Sequence, residues 1–155
     1  MSNIRVVRLQ QDPTVTAGIY SANDAVGGLL TFAGIAPNFG GGSCILESVV
    51  ILDEAKQSIA IDLVLFSETF TAAADNAIFS PSDADLLNCL GVISLAAGDY
   101  AAFEDTSLAT VRNLGLPIKL TGASGSLFGQ LVTRGTPTYA ATTDIEVAVG
   151  LILGS

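Results

Sequence analysis

The groups in this chain that could do chemistry are carboxylates and glycine runs, because it holds 15 Asp and Glu and no histidine. Acid–base work by two carboxylates needs them set across a substrate with their pKa values pushed apart. Asp53-Glu54 and Glu104-Asp105 are neighbours between apolar runs, which predicts solvated turn acids. Asp83 and Asp85 lie two apart in a predicted helix and so do not share a face. Asp75-Asn76 offers loop oxygens that calcium could use, yet the regular ligand spacing of a calcium loop is absent. Gly40-Gly41-Gly42 lacks the Lys-Ser/Thr of a phosphate loop, and Gly122, Gly125 and Gly129 miss the dinucleotide spacing. Without histidine there is no His-based triad and no imidazole proton shuttle. The residues therefore predict no catalytic site, no metal and no cofactor, and a protein that is not an enzyme.

Composition points elsewhere. Half of the 155 residues are apolar and 14% are charged, against roughly 25% charged in an ordinary soluble domain. So sparse a charge predicts that part of the surface is covered by other protein, although a neutral Ser/Thr/Gly surface would give the same count. The net charge is −9, and the six basic residues are scattered along the chain. Phosphate backbones need clustered cations, so nucleic-acid binding is not expected. Asp62 and Glu47, inside predicted strands, are the acids expected to be partly buried, each in a structural network. Cys44 and Cys89 read as two unpaired small core residues, with a single bridge between them as the alternative. The start, MSNIRVVRLQQD, lacks the apolar run of a signal peptide. The uncharged stretch Ala25 to Leu46 is broken by Gly27-Gly28, Pro37-Asn38 and the glycine triplet, which rules out a membrane helix.

The elements follow from periodicity. Cys44 to Phe66 reads as two long strands around Asp53–Gln57, paired as a hairpin with Ile59, Ile61, Leu63 and Leu65 on one face. The same pairing sets Cys44, Leu46, Val50, Val64 and Phe66 on a second, mixed face that must meet something else, in this chain or another copy. Further strands are expected at Ile4–Gln10, Val15–Ser21, Leu29–Ala33, Val92–Leu95, Thr106–Arg112, Leu116–Leu120 and Ser126–Thr133. In the last strand Thr143, Ile145, Val147, Val149, Leu151 and Leu153 share a face. Ser80-Pro81-Ser82-Asp83 starts one helix, with Ser80 as cap, running to Leu90 before Gly91. Many short strands, Gly/Pro turns and one helix predict a single mainly β domain over residues 1–155, an antiparallel sandwich or barrel, with an extended N-terminal segment.

Longer motifs add a resemblance. YSANDAVGGLLTF (Tyr20–Phe32), SVVILDEAKQSIAIDLVLFSETFTAAADNAIFSPSDADL (Ser48–Leu86), LGVISLAAGDY (Leu90–Tyr100) and SLFGQLVTRGTPTYAATTDIEVAVGLI together resemble small virion structural proteins of tailed bacteriophages. The role this implies is a capsid decoration, or cement, protein on the outer capsid surface, assembled in the host cytoplasm. It implies the major capsid protein as partner, a homo-oligomer, most often a trimer, and no membrane. A glycan-binding β-sandwich and a tail or baseplate component are the alternatives. The contacts expected on this reading are Ile4, Val6, Phe39, Leu46, Val50, Val64 and Phe66, with the Ile35–Ser43 loop, since chain ends and glycine loops can order on a partner.

Overall fold

A computed structural model describes residues 5–35, 43–120 and 125–153. Among them the strands are β1 Arg5–Gln11, β2 Ala25–Phe32, β3 Ser43–Asp53, β4 Ile61–Phe66, β5 Cys89–Leu95, β6 Tyr100–Ala102, β7 Ser107–Val111, β8 Leu116–Lys119, β9 Leu127–Thr133 and β10 Ile145–Leu153. A short helix, α1, spans Asp83–Leu86. The strands form two antiparallel sheets: β1-β10-β3-β7-β6, with β8 also beside β3, and β2-β9-β4-β5. Their facing sides close one core, in which Val49, Ile51, Val147, Val149 and Leu151 meet Leu63, Leu65, Leu127 and Leu131. The fold is the expected antiparallel sandwich.

The alternation places Ile61, Leu63 and Leu65 in the core, and likewise Ile145, Val147, Val149, Leu151 and Leu153. Ile59 precedes β4 and is half-buried, and Thr143 precedes β10 and is exposed. The predicted hairpin does not exist. β3 lies between β10 on one side and β7 with β8 on the other, whereas β4 lies between β9 and β5 in the opposite sheet. Residues 54–60 carry the chain between sheets: Lys56 and Ser58 take left-handed φ values of 53° and 52°. The Asp53 carboxylate accepts a 2.9 Å hydrogen bond from the Ser58 amide, and the Arg134 amide donates to the Ala60 carbonyl at 2.9 Å. Alternation fixes which side of a strand is buried, not which strand lies beside it.

The mixed face is also resolved differently. The β3–β10 register shifts by one residue between Gly150 and Leu151, so Ser48 pairs with Gly150 and Leu46 with Leu151. Glu47 is the extra residue, and beyond it inward and outward sides exchange. Cys44 and Leu46 therefore join Val49 and Ile51 in the core, while Ile45 faces out. A Cβ at Gly150 would overlap the Ser48 hydroxyl, so glycine suits the bulge. The helix is shorter than expected and is capped by Ser82, whose hydroxyl accepts from the Asp85 amide at 3.1 Å, rather than by Ser80. Residues 89–95 go to β5, because pairing with β4 outweighs local helix signals. The expected strand at Val15–Ser21 is reduced to a single bridge, Ile19 to Thr138. Ala25–Leu46 holds β2 and the start of β3, and among the described residues no helix is long and apolar enough to cross a membrane.

Candidate interaction surface

Each sheet has an outward side, and among the described residues the chain covers only that of the four-stranded sheet. Val64, Phe66 and Val132 point away from the main core and form a second cluster with Phe70. The Phe66 and Phe70 rings stack at 3.9 Å between centroids, 24° apart. Residues 70–79 lie over this side because the sheet satisfies their backbone. Buried Gln130 donates to the Gly27 and Ala73 carbonyls at 2.9 and 2.8 Å and accepts from the Ala73 amide at 3.0 Å. Asp75 closes the clamp: its carboxylate accepts from the Tyr20 hydroxyl and Thr16 hydroxyl, each at 2.6 Å, and from the Gly27 amide at 2.7 Å. Gly27 has φ 77°, and a Cβ there would overlap Pro13. Both Asp75 oxygens are thus taken by protein donors, and the Asn76 side-chain amide donates to the Ile19 carbonyl at 3.2 Å. The two residues that composition offered to calcium hold loops together instead.

The outward side of the six-stranded sheet carries no cover among the described residues. The pairing register sets Val6 beside Ile152, Ile152 beside Ile45 and Ile45 beside Pro117, one apolar row across four strands. A second row runs Leu52, Leu108, Ala101, with Glu146 at its β10 end. Between them Gln10, Ala148, Val50 and Thr110 lie side by side. Val6 is 78% exposed and Ile45 38%. A shallow depression of about 110 Å³ is lined by Arg8, Gln10, Val50, Leu52, Leu108 and Glu146 among others. Gln10 donates to Glu146 at 3.3 Å. Burial, with the nearby Asp12 and Glu54, holds the Glu146 carboxyl above its ordinary range.

One end of the sandwich gathers two buried acids, of which Asp53 is read from the sequence as a solvated turn residue. Asp53 is 1% exposed and Asp144 6%. Asp144 accepts from the Ala140 and Ala141 amides at 2.7 and 2.9 Å. Asp53 Oδ1 has no hydrogen-bond partner among the described residues. Burial raises the Asp53 pKa, amides of the following turn lower it, and Asp144 adds to the rise. Burial also raises the Tyr100 and Tyr139 hydroxyls, and Asp53 adds to both. Asp62 is buried as expected, in an ion pair with Arg134 at 2.7 Å. Arg134 also donates to Asn23 at 2.7 Å. Glu47 is half-exposed at the bulge. Both cysteines are free, and burial pushes the Cys44 thiol up to about 11. A signal for Asp53 is present in the sequence: an acid that ends a long apolar strand just before a turn can cap that turn.

The expected contact residues separate into three groups. Leu46, Val64 and Phe66 are inside the chain's own clusters, which removes them from any surface a partner can reach. Val6 and Val50 stand on the bare face, Val6 exposed and Val50 half-buried. Ile4, Phe39 and residues 36–42 of the Ile35–Ser43 loop lie outside the described residues, and Ile35 itself is buried.

No protein-family profile matches the sequence, and no curated protein does. Among 66 matching chains of solved structures, one is from tomato aspermy virus, with 8% identity and a TM-score of 0.45 over 96% of this chain and 76% of that one. A chain of desmodium yellow mottle tymovirus shares 12% identity at a TM-score of 0.29, covering 99% and 82%. A chain of an empty Kashmir bee virus particle shares 9% at 0.31, covering 99% and 90%. Likeness at this level assigns no family.

Proposed function

We propose that this chain is a non-enzymatic virion structural protein that binds the outside of a tailed-phage capsid shell as a decoration, or cement, protein. Two things support the reading: the resemblance carried by the Tyr20–Phe32 and Ser48–Leu86 motifs, and the bare apolar side of the six-stranded sheet. The second observation carries the geometry. A bracing protein needs a broad, stiff, shallow contact repeated by symmetry, not a pocket. The 39 residues of its six strands, at about 3.3 Å rise and about 4.8 Å spacing, give a face on the order of 600 Å². That approaches the roughly 800 Å² per partner of a stable protein interface. The major capsid protein is the partner, and the chain acts as a homo-oligomer.

Electron microscopy of purified particles tests the address: density of this size on the outer shell, at a copy number tied to the capsid lattice, is expected. Density confined to the tail or baseplate would overturn it. Shells assembled without the protein should break at lower temperature and weaker osmotic shock than complete shells, and equal resistance would remove the bracing role.

A further inference from the structure

The open margins of the two sheets are treated unequally. Open strand edges invite another strand, and proteins blunt them with covering segments, bulges, prolines or short length. β2 is covered at its start by residues 76–79: the Ala25 amide donates to the Ala77 carbonyl at 2.8 Å, and the Asn76 amide to the Ala25 carbonyl at 2.9 Å. Its pairing with β9 is then broken between Val26 and Leu30. β5 carries a register shift opposite Leu65 and Phe66. β6 is three residues long, and β8 is four with Pro117 among them. β1 differs from all of these. It runs seven residues in unbroken register with β10, contains no proline, and no backbone hydrogen bond reaches its outer edge among the described residues. Its guards are two charges, Arg5 and Arg8.

We infer that the free edge of β1 pairs antiparallel with β1 of a second copy, about a twofold axis at Val7. Faces and charges narrow the register, and the pairing of Val6 selects within it. Residues directly opposite in an antiparallel pair share a face, so an axis between two residues would set the core side of one copy against the bare side of the other. An axis on Arg8 puts two guanidinium groups directly opposite, which is unfavourable. An axis on Leu9 sets the exposed Val6 opposite Asp12. An axis on Val7 sets Val6 opposite Arg8 of the second copy, whose aliphatic stem can cover it while its charge stays in water. Arg8 is then not a block to pairing but a selector of register. The product is one continuous sheet of twelve strands, six from each copy, with the two bare faces joined side by side. Identical edges close with two copies, so the proposal sets a twofold unit where the resemblance implies a threefold one. It goes beyond the decoration reading and stands without it.

Cysteine trapping reads the register directly. Val6 and Arg8 are both exposed, so V6C and R8C should leave the fold intact in a Cys89→Ser background. Under mild oxidation neither variant alone should cross-link efficiently, because like positions sit a diagonal apart, beyond the reach of a disulfide. An equal mixture should give a V6C–R8C dimer, at least tenfold more than either alone. No cross-link in the mixture, or equal cross-linking by a single variant, would overturn the register. Sedimentation of the unaltered chain at tens of micromolar should show dimer. Monomer or trimer would overturn the edge pairing, and a trimer found on shells would do so while leaving the decoration reading in place.

Discussion

The two outward sides of this sandwich start from similar material and end differently. β4 and β9 offer Val64, Phe66 and Val132; β1, β3 and β10 offer Val6, Ile45, Val50, Leu52 and Ile152. Over the first the chain returns and seals the surface with Phe70, Ala72 and Phe79. Over the second nothing in the described residues returns. Apolar content does not separate them. The covered side also supplies polar partners, since an irregular segment lying on a sheet brings amides and carbonyls that must be satisfied. Gln130 makes two such bonds, both to Ala73, from within the sheet, and Asp75 makes three from the segment itself. The outward side of β3 has Ser48 as its polar centre, facing the Gly150 bulge instead of a loop. A sheet face takes a cover from its own chain when it can pair the cover's backbone.

The largest test of that contrast removes the ring at the centre of the sealed side. Phe66→Ala should destabilise by about 3–5 kcal/mol, the range for truncating a buried aromatic, because Phe66 is fully buried and stacked on Phe70. Leu63→Ala, in the main core, should cost about 2–5 kcal/mol. Urea titration reads both. If Phe66→Ala proves as mild as a surface change, the 70–79 segment does not seal the sheet, and the two sides are alike.

Gln130→Leu asks whether polar anchoring rather than apolar contact holds the cover. The side chain keeps similar bulk but leaves the Gly27 carbonyl and both Ala73 backbone groups without their partner. Leaving buried groups unpaired should cost about 1–3 kcal/mol. Hydrogen exchange at the Ala73 amide should accelerate well beyond what global destabilisation explains. Unchanged protection at Ala73 would mean that Phe70 and its neighbours hold the segment without Gln130.

The core faces are legible in the amino-acid sequence. The alternation of Ile61-Leu63-Leu65 and of Ile145 to Leu153 marks the side of each strand that faces the main core, because successive strand side chains point to opposite faces. Strand partners are not legible: β3 and β4 are each apolar enough to be central, and nothing local says that 54–60 crosses between sheets. The bulge at Glu47 is equally hidden, and it alone moves Leu46 from a supposed contact to the core. Val64 and Phe66 do need a cover, as their place on a mixed face implies, but that cover is an aperiodic loop, which carries no pattern to detect. Of the expected contacts, Val6 and Val50 reach a free face because neither lies between a bulge and its strand end on the core side.

A smaller effect concerns the acid end, where Asp53 is buried with Oδ1 unpaired among the described residues. Its pKa is raised in the folded state, chiefly by burial. The folded protein therefore holds this proton more tightly than the unfolded chain does. The stability so contributed is full below the ordinary Asp range and is lost as pH rises through the raised value. Asp53→Asn carries no charge to desolvate and keeps an oxygen for the Ser58 amide. It should match the unaltered protein in acid and exceed it in stability near neutral pH, as read by urea titrations across the pH range. Equal stability at every pH would show that the turn amides fully offset the burial.

The smallest expected change in stability lies on the bare side, and it sharpens the contrast most. Val6→Ser with Ile45→Thr replaces two members of the outer apolar row. Neither residue is fully buried, and threonine keeps the branched shape that strands favour. Each change should move stability by no more than about 0.5 kcal/mol, as for surface sites in general. If the proposed docking holds, binding to shells, measured by co-sedimentation with particles that lack the protein, should fall at least tenfold, because the row would lose the apolar continuity on which the shell is proposed to pack. Phe66→Ala provides the opposite pattern: a large loss of stability, with shell binding retained by the fraction that is folded. If the surface pair lowers stability as much as Phe66→Ala does, the row is packed against something in this chain. If it leaves shell binding intact, the six-stranded face is not the docking surface, and the sparse charge of the sequence reflects a neutral exterior instead.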